Sequence, residues 1–283
     1  MSDDFKTVVQ TIGDLPPMPA VAMKVLQLLQ DPNVSTVSLA STIANDPAVS
    51  ARVLKIANSA FYSMKRQVKT LEHALVIIGE KTIRSLVLAA SLEGMNKNVG
   101  LLEKILWEDS LGCAIGARLI AARFRSADPE EAFLAGLFRH LGLIVMNYSD
   151  RDRFSVMVQA SYSGAGSLTT LEKVYFPYAH DVVGAAVLEK WNFSSTLIQS
   201  ALHHEDMAVD RAEEPELYRL IATVNLSDHL CLRLGIGQRE PNEDVDILNC
   251  PGAQALGLEA HQAERLLEDM EEVFTENREF FFG

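Results

Sequence analysis

Asp128-Pro-Glu-Glu-Ala-Phe-Leu-Ala-Gly-Leu-Phe-Arg-His-Leu-Gly142 is the stretch on which the reading of this chain turns. Asp128 offers the short carboxylate of a helix N-cap. Pro129 then stands at the first helical position, where its missing N–H costs nothing. Phe133, Leu134, Leu137, Leu141 and Ile144 recur three and four residues apart. That spacing predicts one amphipathic helix carrying Arg139 and His140.

The same pattern of cap and apolar stripe continues in both directions. Upstream, Asp46-Pro47 opens a helix through Val49, Val53, Leu54 and Ile56, and Ser35 or Thr36 caps one through Val37, Ala40 and Ile43. Thr70 caps a helix through Leu71, Ala74, Leu75 and Ile78, closed by Gly79, and a longer one follows through Ile83, Leu86, Val87 and Ala90. A first short helix is expected to end near Gly13, and Leu15-Pro16-Pro17-Met18-Pro19 must be extended because each Pro restricts its predecessor. After a junction at Gly94 to Gly100, Leu101 to Phe124 reads as a long helix. Thr169 or Thr170 caps another, which Pro177 ends. Ala179–Trp191, Ser195–His204, Leu217–Leu234 and Leu256–Phe274 complete the series, with Gly235 to Gly252 irregular. No strand alternation and no Gly-rich phosphate loop interrupts it. The expected fold class is all-α, and residues 1–95 are expected to form a compact bundle of short helices.

The chain has 283 residues, of which 48% are hydrophobic and 22% charged. These are ordinary globular values and exclude wholesale disorder, collagen and coiled-coil arrays. Its net charge of -13 repels phosphate backbones, so nucleic acid is not an expected partner. The charge is uneven: residues 1–95 carry nine Lys/Arg against eight Asp/Glu. Cys113, Cys231 and Cys250 are too few for a disulfide framework and contain no CxxC pair; Cys113 and Cys231 read as buried free thiols. The acidic N-terminus is no signal peptide, and the longest apolar run is far short of the ~20 residues of a membrane span. A cytoplasmic protein with no membrane partner is expected.

Five of the seven histidines lie between His140 and His229. His140, His180, His203 and His204 stand out, with Asp109, Glu172, Asp181, Glu205 and Asp228 around them. Imidazole and carboxylate are the usual ligands of Fe, Mn, Ni or Zn. The adjacent pair His203-His204 diverges by about 100° on a helix, so both rings reach one site only near a helix end or between two metals. A buried structural or surface role is the plainer reading of each ring. Lys65, Arg66 and Lys69, beside Phe61 and Tyr62, form a candidate patch for an acidic partner, against the plainer reading of a solvated loop. Phe280-Phe281-Phe282 is expected to dock on the bundle.

Taken together, Leu15-Pro-Pro-Met-Pro19, Ile43-Ala-Asn-Asp-Pro47, Arg52-Val-Leu-Lys-Ile-Ala-Asn58 and Leu71-Glu-His-Ala-Leu-Val-Ile-Ile-Gly79 resemble an HDOD domain, the HD-related output domain of bacterial signalling proteins. Ala135-Gly136-Leu137, His140-Leu-Gly142, His180-Asp-Val-Val-Gly-Ala185, Trp191 and His203-His204 continue the resemblance, which runs from about Ile12 to Leu234. It implies two helical lobes: 1–95 as the N-terminal lobe and 96–234 as a lobe similar to HD phosphohydrolases. Residues 235–283 are then a helical extension packing on the HD-like lobe.

HD enzymes hold one to three metals with a His, a His-Asp pair, further histidines and a late Asp. Carried onto this sequence, those positions fall on Asp109, Arg139-His140, His180, His203 and His204, and Asp228. The departures are chemical. Arg139 stands where a ligand should be and cannot ligate, and no Gly-Tyr-Pro follows Glu205. In one reading Arg139 replaces a metal electrostatically, pairs with Asp109 or Asp228, and leaves a structural groove. In the other, a single transition metal survives on some of Asp109, His140, His180, His203, His204 and Asp228. The function expected is a non-enzymatic signal-transduction module that binds a signalling protein or a small ligand. The alternative is a metal-dependent phosphohydrolase acting on a nucleotide or cyclic dinucleotide.

Overall fold

Among the residues described by the computed structural model (15–31, 33–59, 68–95 and 100–282, with side chains to 276), the chain is helical with no strand. None of these helices is long and apolar enough to cross a membrane. The described residues fall into two compact units. One takes those of 18–98 and 267–283, the other those of 1–17 and 99–266. The segment 235–283 is therefore shared between the units, with its division at 266/267. Lys65, Arg66, Phe61, Tyr62 and the segment ending at Gly13 lie outside the described residues, as do the side chains of Phe280 to Phe282; Lys69 is exposed.

The smaller unit is built on α1 (Ala20–Leu28), α2 (Thr36–Ala44), α3 (Pro47–Ala57) and α4 (Leu71–Glu93). Its starts follow local chemistry. Ser35 Oγ accepts from Ser38 N, Asp46 accepts from the amides of Ala48 and Val49, and Thr70 accepts from His73 N. Gly79, at φ +83° and ψ 163°, breaks α4 into two helical runs, a backbone conformation that side-chain-bearing residues rarely adopt. Val25, Ile43, Val53, Leu75, Ile83 and Leu86 fill the core. Burying each such side chain stabilises the fold by roughly 1.5–3 kcal/mol before the entropy of ordering it is counted. Asn58 closes the loop from α3, donating Nδ2–H to Val68 O at 2.8 Å and accepting Val68 N–H at 2.7 Å.

The larger unit runs α5 (Leu101–Phe124), α6 (Pro129–Phe138), α7 (Leu141–Ser149), α8 (Arg151–Tyr162), α9 (Leu168–Tyr175), α10 (His180–Lys190), α11 (Ser195–His203), α12 (Pro215–Leu234), a 3-10 turn (Ile247–Asn249), α13 (Pro251–Leu256) and the start of α14 (Ala260–Phe282). Helix α5 packs on α6 and α12, and α10 packs on α7 and α11. The Leu15-Pro16 segment is tied to the end of α10, where Trp191 Nε1–H donates to Pro16 O at 3.0 Å and Lys190 Nζ to Leu15 O at 2.7 Å.

Two expectations are corrected here. The helix expected from Asp128 through Ile144 is two helices, broken at Arg139-His140, where His140 leaves helical geometry (φ -104°, ψ 21°) and Gly142, in the first turn of the second helix, lies against the start of α10. A Cβ on Gly142 would overlap the His180 carbonyl oxygen. The cap expected at Thr169 or Thr170 is Ser167, whose Oγ accepts from Thr170 N.

Candidate functional site

The break after α6 aims two consecutive side chains inward. Arg139 is helical in backbone (φ -53°, ψ -41°) and His140 turns off it (φ -104°, ψ 21°). Arg139 is fully buried. Its Nη2 lies 2.6 Å from Asp109 Oδ1 on α5 and 2.6 Å from Asp228 Oδ1 on α12. Nε donates to the same Asp228 oxygen at 2.8 Å, and Nη1 donates to the carbonyls of Asp109 (3.2 Å) and Gly136 (3.5 Å). Burial, the largest single influence, would lower the guanidinium pKa, but the surrounding charges, Asp109 foremost and Asp228 with it, together outweigh it and hold the group well above its ordinary value. Burial would likewise raise Asp228; the Arg139 cation and the neighbouring imidazoles hold it well below the usual carboxylate range.

Beside this ion triad three imidazoles converge. Ring centroids are 4.9 Å apart for His140 and His180, 5.2 Å for His140 and His204, and 5.3 Å for His180 and His204. Each ring is held through Nδ1. His140 Nδ1 lies 2.7 Å from Asp109 Oδ2. His180 Nδ1 lies 2.9 Å from both oxygens of Glu172, a fully buried carboxylate of α9 that also accepts the His180 backbone N–H at 2.8 Å. His204 Nδ1 lies 2.8 Å from the Ala201 carbonyl. All three partners are acceptors, so in a neutral ring Nδ1 carries the hydrogen and Nε2 the lone pair, and the Nε2 atoms of His180 and His204 face each other. This is the arrangement in which a carboxylate or carbonyl orients a metal-binding imidazole.

His180 Nε2 and His204 Nε2 are 3.3 Å apart, too close for two facing lone pairs with nothing between them. Two occupants satisfy them. A proton is one. Burial, the largest single influence, lowers His180, but the hydrogen bond and charge of Glu172 together with Glu205 and Asp181 outweigh it and raise the group, whereas burial and the His140 and His180 rings push His204 well below its ordinary value. With a proton between them, His180 is the imidazolium that donates and His204 the neutral ring that accepts. A metal ion is the other: two nitrogens at about 2.0–2.1 Å from a tetrahedral centre stand about 3.3–3.4 Å apart. Donor atoms of His140, His180, His204 and Glu205 lie within 4.8 Å of one another, so this set fits one ion. Atoms of Asp109, His140 and Asp228 are also within 4.8 Å of one another, but Arg139 Nη2 already sits against both carboxylates, and that set does not fit a second ion.

Of the sequence-derived candidates, Asp109, Arg139, His140, His180, His204 and Asp228 are brought together. His203 is not: its Nδ1 faces Asp206 Oδ1 at 3.1 Å on the outer side of the turn. The phase of α11 separates the pair, since Leu197, Ala201 and His204 form its buried stripe and His203 falls about 100° away. Two contributors stand outside the ligand set read from sequence. Glu172 anchors His180, and Glu205 supplies the fourth donor with its Oε1 4.0 Å from His180 Nε2. A carboxylate directly after the histidine pair was the available signal for Glu205; Glu172 stands among the carboxylates noted around the histidines, but nothing local marks it as the anchor of His180.

Comparison with known proteins places this arrangement. The HDOD domain profile matches residues 15–207. An uncharacterized protein of Treponema pallidum (strain Nichols) is 21% identical over 220 residues, covering 77% of this chain; the chain spans only 42% of that relative's length. Among solved structures, an HDOD domain protein of unknown function from Geobacter sulfurreducens is similar with a TM-score of 0.78 at 24% identity, covering 98% of this chain and 95% of its own. A Shewanella amazonensis SB2B protein provisionally named a phosphohydrolase has a TM-score of 0.74 at 21% identity, covering 99% and 97%. At such identities the structures attest the fold alone, while the profile covers more than half of the sequence: the chain belongs to the HDOD domain family.

Proposed function

We propose that this protein is a non-hydrolytic signal-transduction module, acting by binding a partner protein or a small ligand, with an HD-type pocket reduced to a single-ion site. The observation that carries the reading is Arg139, whose guanidinium lies 2.6 Å from both Asp109 and Asp228. Hydrolysis of a phosphodiester by a two-ion site uses carboxylates to bridge or bind cations and to take a proton from water. Here both carboxylates are engaged by a permanent cation, and Asp228 is held in its ionised form well below the range of a useful base. An ion on His140, His180 and His204 would supply Lewis acidity and an exchangeable coordination position; Fe, Mn, Ni and Zn all suit such donors. The role expected of it is ligand recognition or stabilisation of the larger unit.

Metal analysis of purified protein, joined to an assay on bis(p-nitrophenyl) phosphate, tests this. The expected result is no more than one ion per chain and no turnover above buffer. Two ions per chain, with turnover lost in His180→Ala, would overturn the reading in favour of a metal-dependent phosphohydrolase. The convergence of three imidazole rings is the observation that keeps this second reading in view.

A further inference from the structure

The four donors of the proposed single-ion site are not held alike. His180 and His204 are buried, His140 is 17% exposed, and each ring is fixed by a hydrogen bond at Nδ1. Glu205 is 44% exposed and lies beyond the end of α11. Its carboxylate takes a hydrogen bond from one neutral hydroxyl, Thr169 Oγ1 at 3.1 Å. Thr169 and Glu172 stand three residues apart on α9, so one turn of that helix fixes His180 through a buried carboxylate and steadies Glu205 through a hydroxyl.

We propose that Glu205 is the exchangeable donor of this centre, and that a small carboxylate monoanion displaces it. The inference rests on the single-ion reading and adds the ligand class. Charge selects that class. Asp109, Asp228 and Arg139 sum to one negative charge, and Glu172 adds another. A divalent ion on neutral rings cancels these two, and Asp181, which also acts on His180, leaves the surroundings at most mildly negative once Glu205 swings out. One monoanion then restores the charge that Glu205 supplied. A phosphate dianion brings one more negative charge, and no cation is left to meet it. The donors of Arg139 are directed at Asp109, Asp228 and two carbonyls.

The test uses full-length protein loaded with Co2+, whose visible bands report coordination. Wild type and Glu205→Gln are titrated with sodium acetate and, separately, with sodium phosphate at constant pH and ionic strength. Because Glu205 is exposed, the variant is expected to keep the wild-type circular dichroism. Both proteins bind one Co2+. Acetate changes the spectrum of Glu205→Gln at about tenfold lower concentration than that of wild type, because in wild type it competes with a tethered carboxylate. Phosphate is weaker than acetate on both. Equal acetate midpoints for the two proteins would overturn the role of Glu205, and a stronger response to phosphate would overturn the ligand class. Failure of wild type to take up one Co2+ would instead remove the single-ion reading, and the proposal with it.

Discussion

Replacing Arg139 by Met is the sharpest test of how this pocket is held together. The side chain is fully buried and its Nη2 lies 2.6 Å from each of two carboxylates. Methionine matches the stem in volume but leaves Asp109 and Asp228 facing each other without a cation. Breaking a buried pair by removing one partner costs about 3–5 kcal/mol, chiefly because the remaining charge is uncompensated. At roughly 2–4 °C per kcal/mol for a unit of this size, the expected fall in Tm at pH 7 is about 6–20 °C. The pH dependence has a definite sign. In wild type Asp228 is depressed in the folded state, so its stabilisation is present above the unfolded value of about 3.9 and is lost as pH falls toward the folded one. In Arg139→Met, burial and mutual repulsion push at least one carboxylate above about 3.9. That variant loses stability as pH rises through the raised value. The Tm gap between the proteins is therefore widest near neutral pH and narrows toward pH 4. Thermal unfolding followed by circular dichroism, in chelator so that no ion enters the vacated place, measures it. A gap near zero that does not change with pH would refute the claim that Arg139 is the counter-charge of this pocket.

Glu172→Gln, which loosens the hold on His180 without removing a donor, should weaken Co2+ affinity about 10- to 100-fold. His203→Ala should leave it unchanged, since that ring faces Asp206; titration of both variants by visible absorption checks the pair. Gly142→Ala should lower stability in urea by at least the 1–3 kcal/mol typical of overpacking, because its Cβ meets backbone that cannot swing aside. Burial pushes the Cys113 thiol up to about 12 and also raises Cys231 and Cys250, so a thiol reagent at pH 8 should label native protein slowly and all three cysteines promptly in denaturant.

Helix starts were readable because they are local. Asp46-Pro47, Thr70 and Asp128-Pro129 each make their cap hydrogen bonds within three residues, and Gly79 breaks α4 by its own backbone freedom. The break at Arg139-His140 was not readable. Apolar spacing runs through it, and the neighbour that Gly142 packs against, the start of α10, lies about forty residues later in sequence. The same distinction divides the site. Residue types marked Asp109, His140, His180 and Asp228 and put Glu172 near them, but its role as the anchor of His180 shows only once α9 packs beside the His180 amide. Choosing His204 over His203 required the phase of α11, which the buried stripe Leu197, Ala201, His204 carries.

Asp109 gives the arginine substitution a further consequence. Its Oδ1 accepts from Arg139 at 2.6 Å, while its Oδ2 faces His140 Nδ1 at 2.7 Å. The guanidinium therefore holds in place the carboxylate that sets the tautomer of His140 and leaves its Nε2 free to ligate. Under the single-ion reading, Arg139 excludes one ion and helps to orient a donor for the other. The two effects separate experimentally. Arg139→Lys keeps the charge but loses the planar fork that meets Asp109 and Asp228 together. It should retain more thermal stability than Arg139→Met at pH 7, yet still bind Co2+ more weakly than wild type, because Asp109 is no longer held in register with His140. If Arg139→Lys binds Co2+ as tightly as wild type, the orientation of His140 does not depend on the fork, and Arg139 acts as a charge alone.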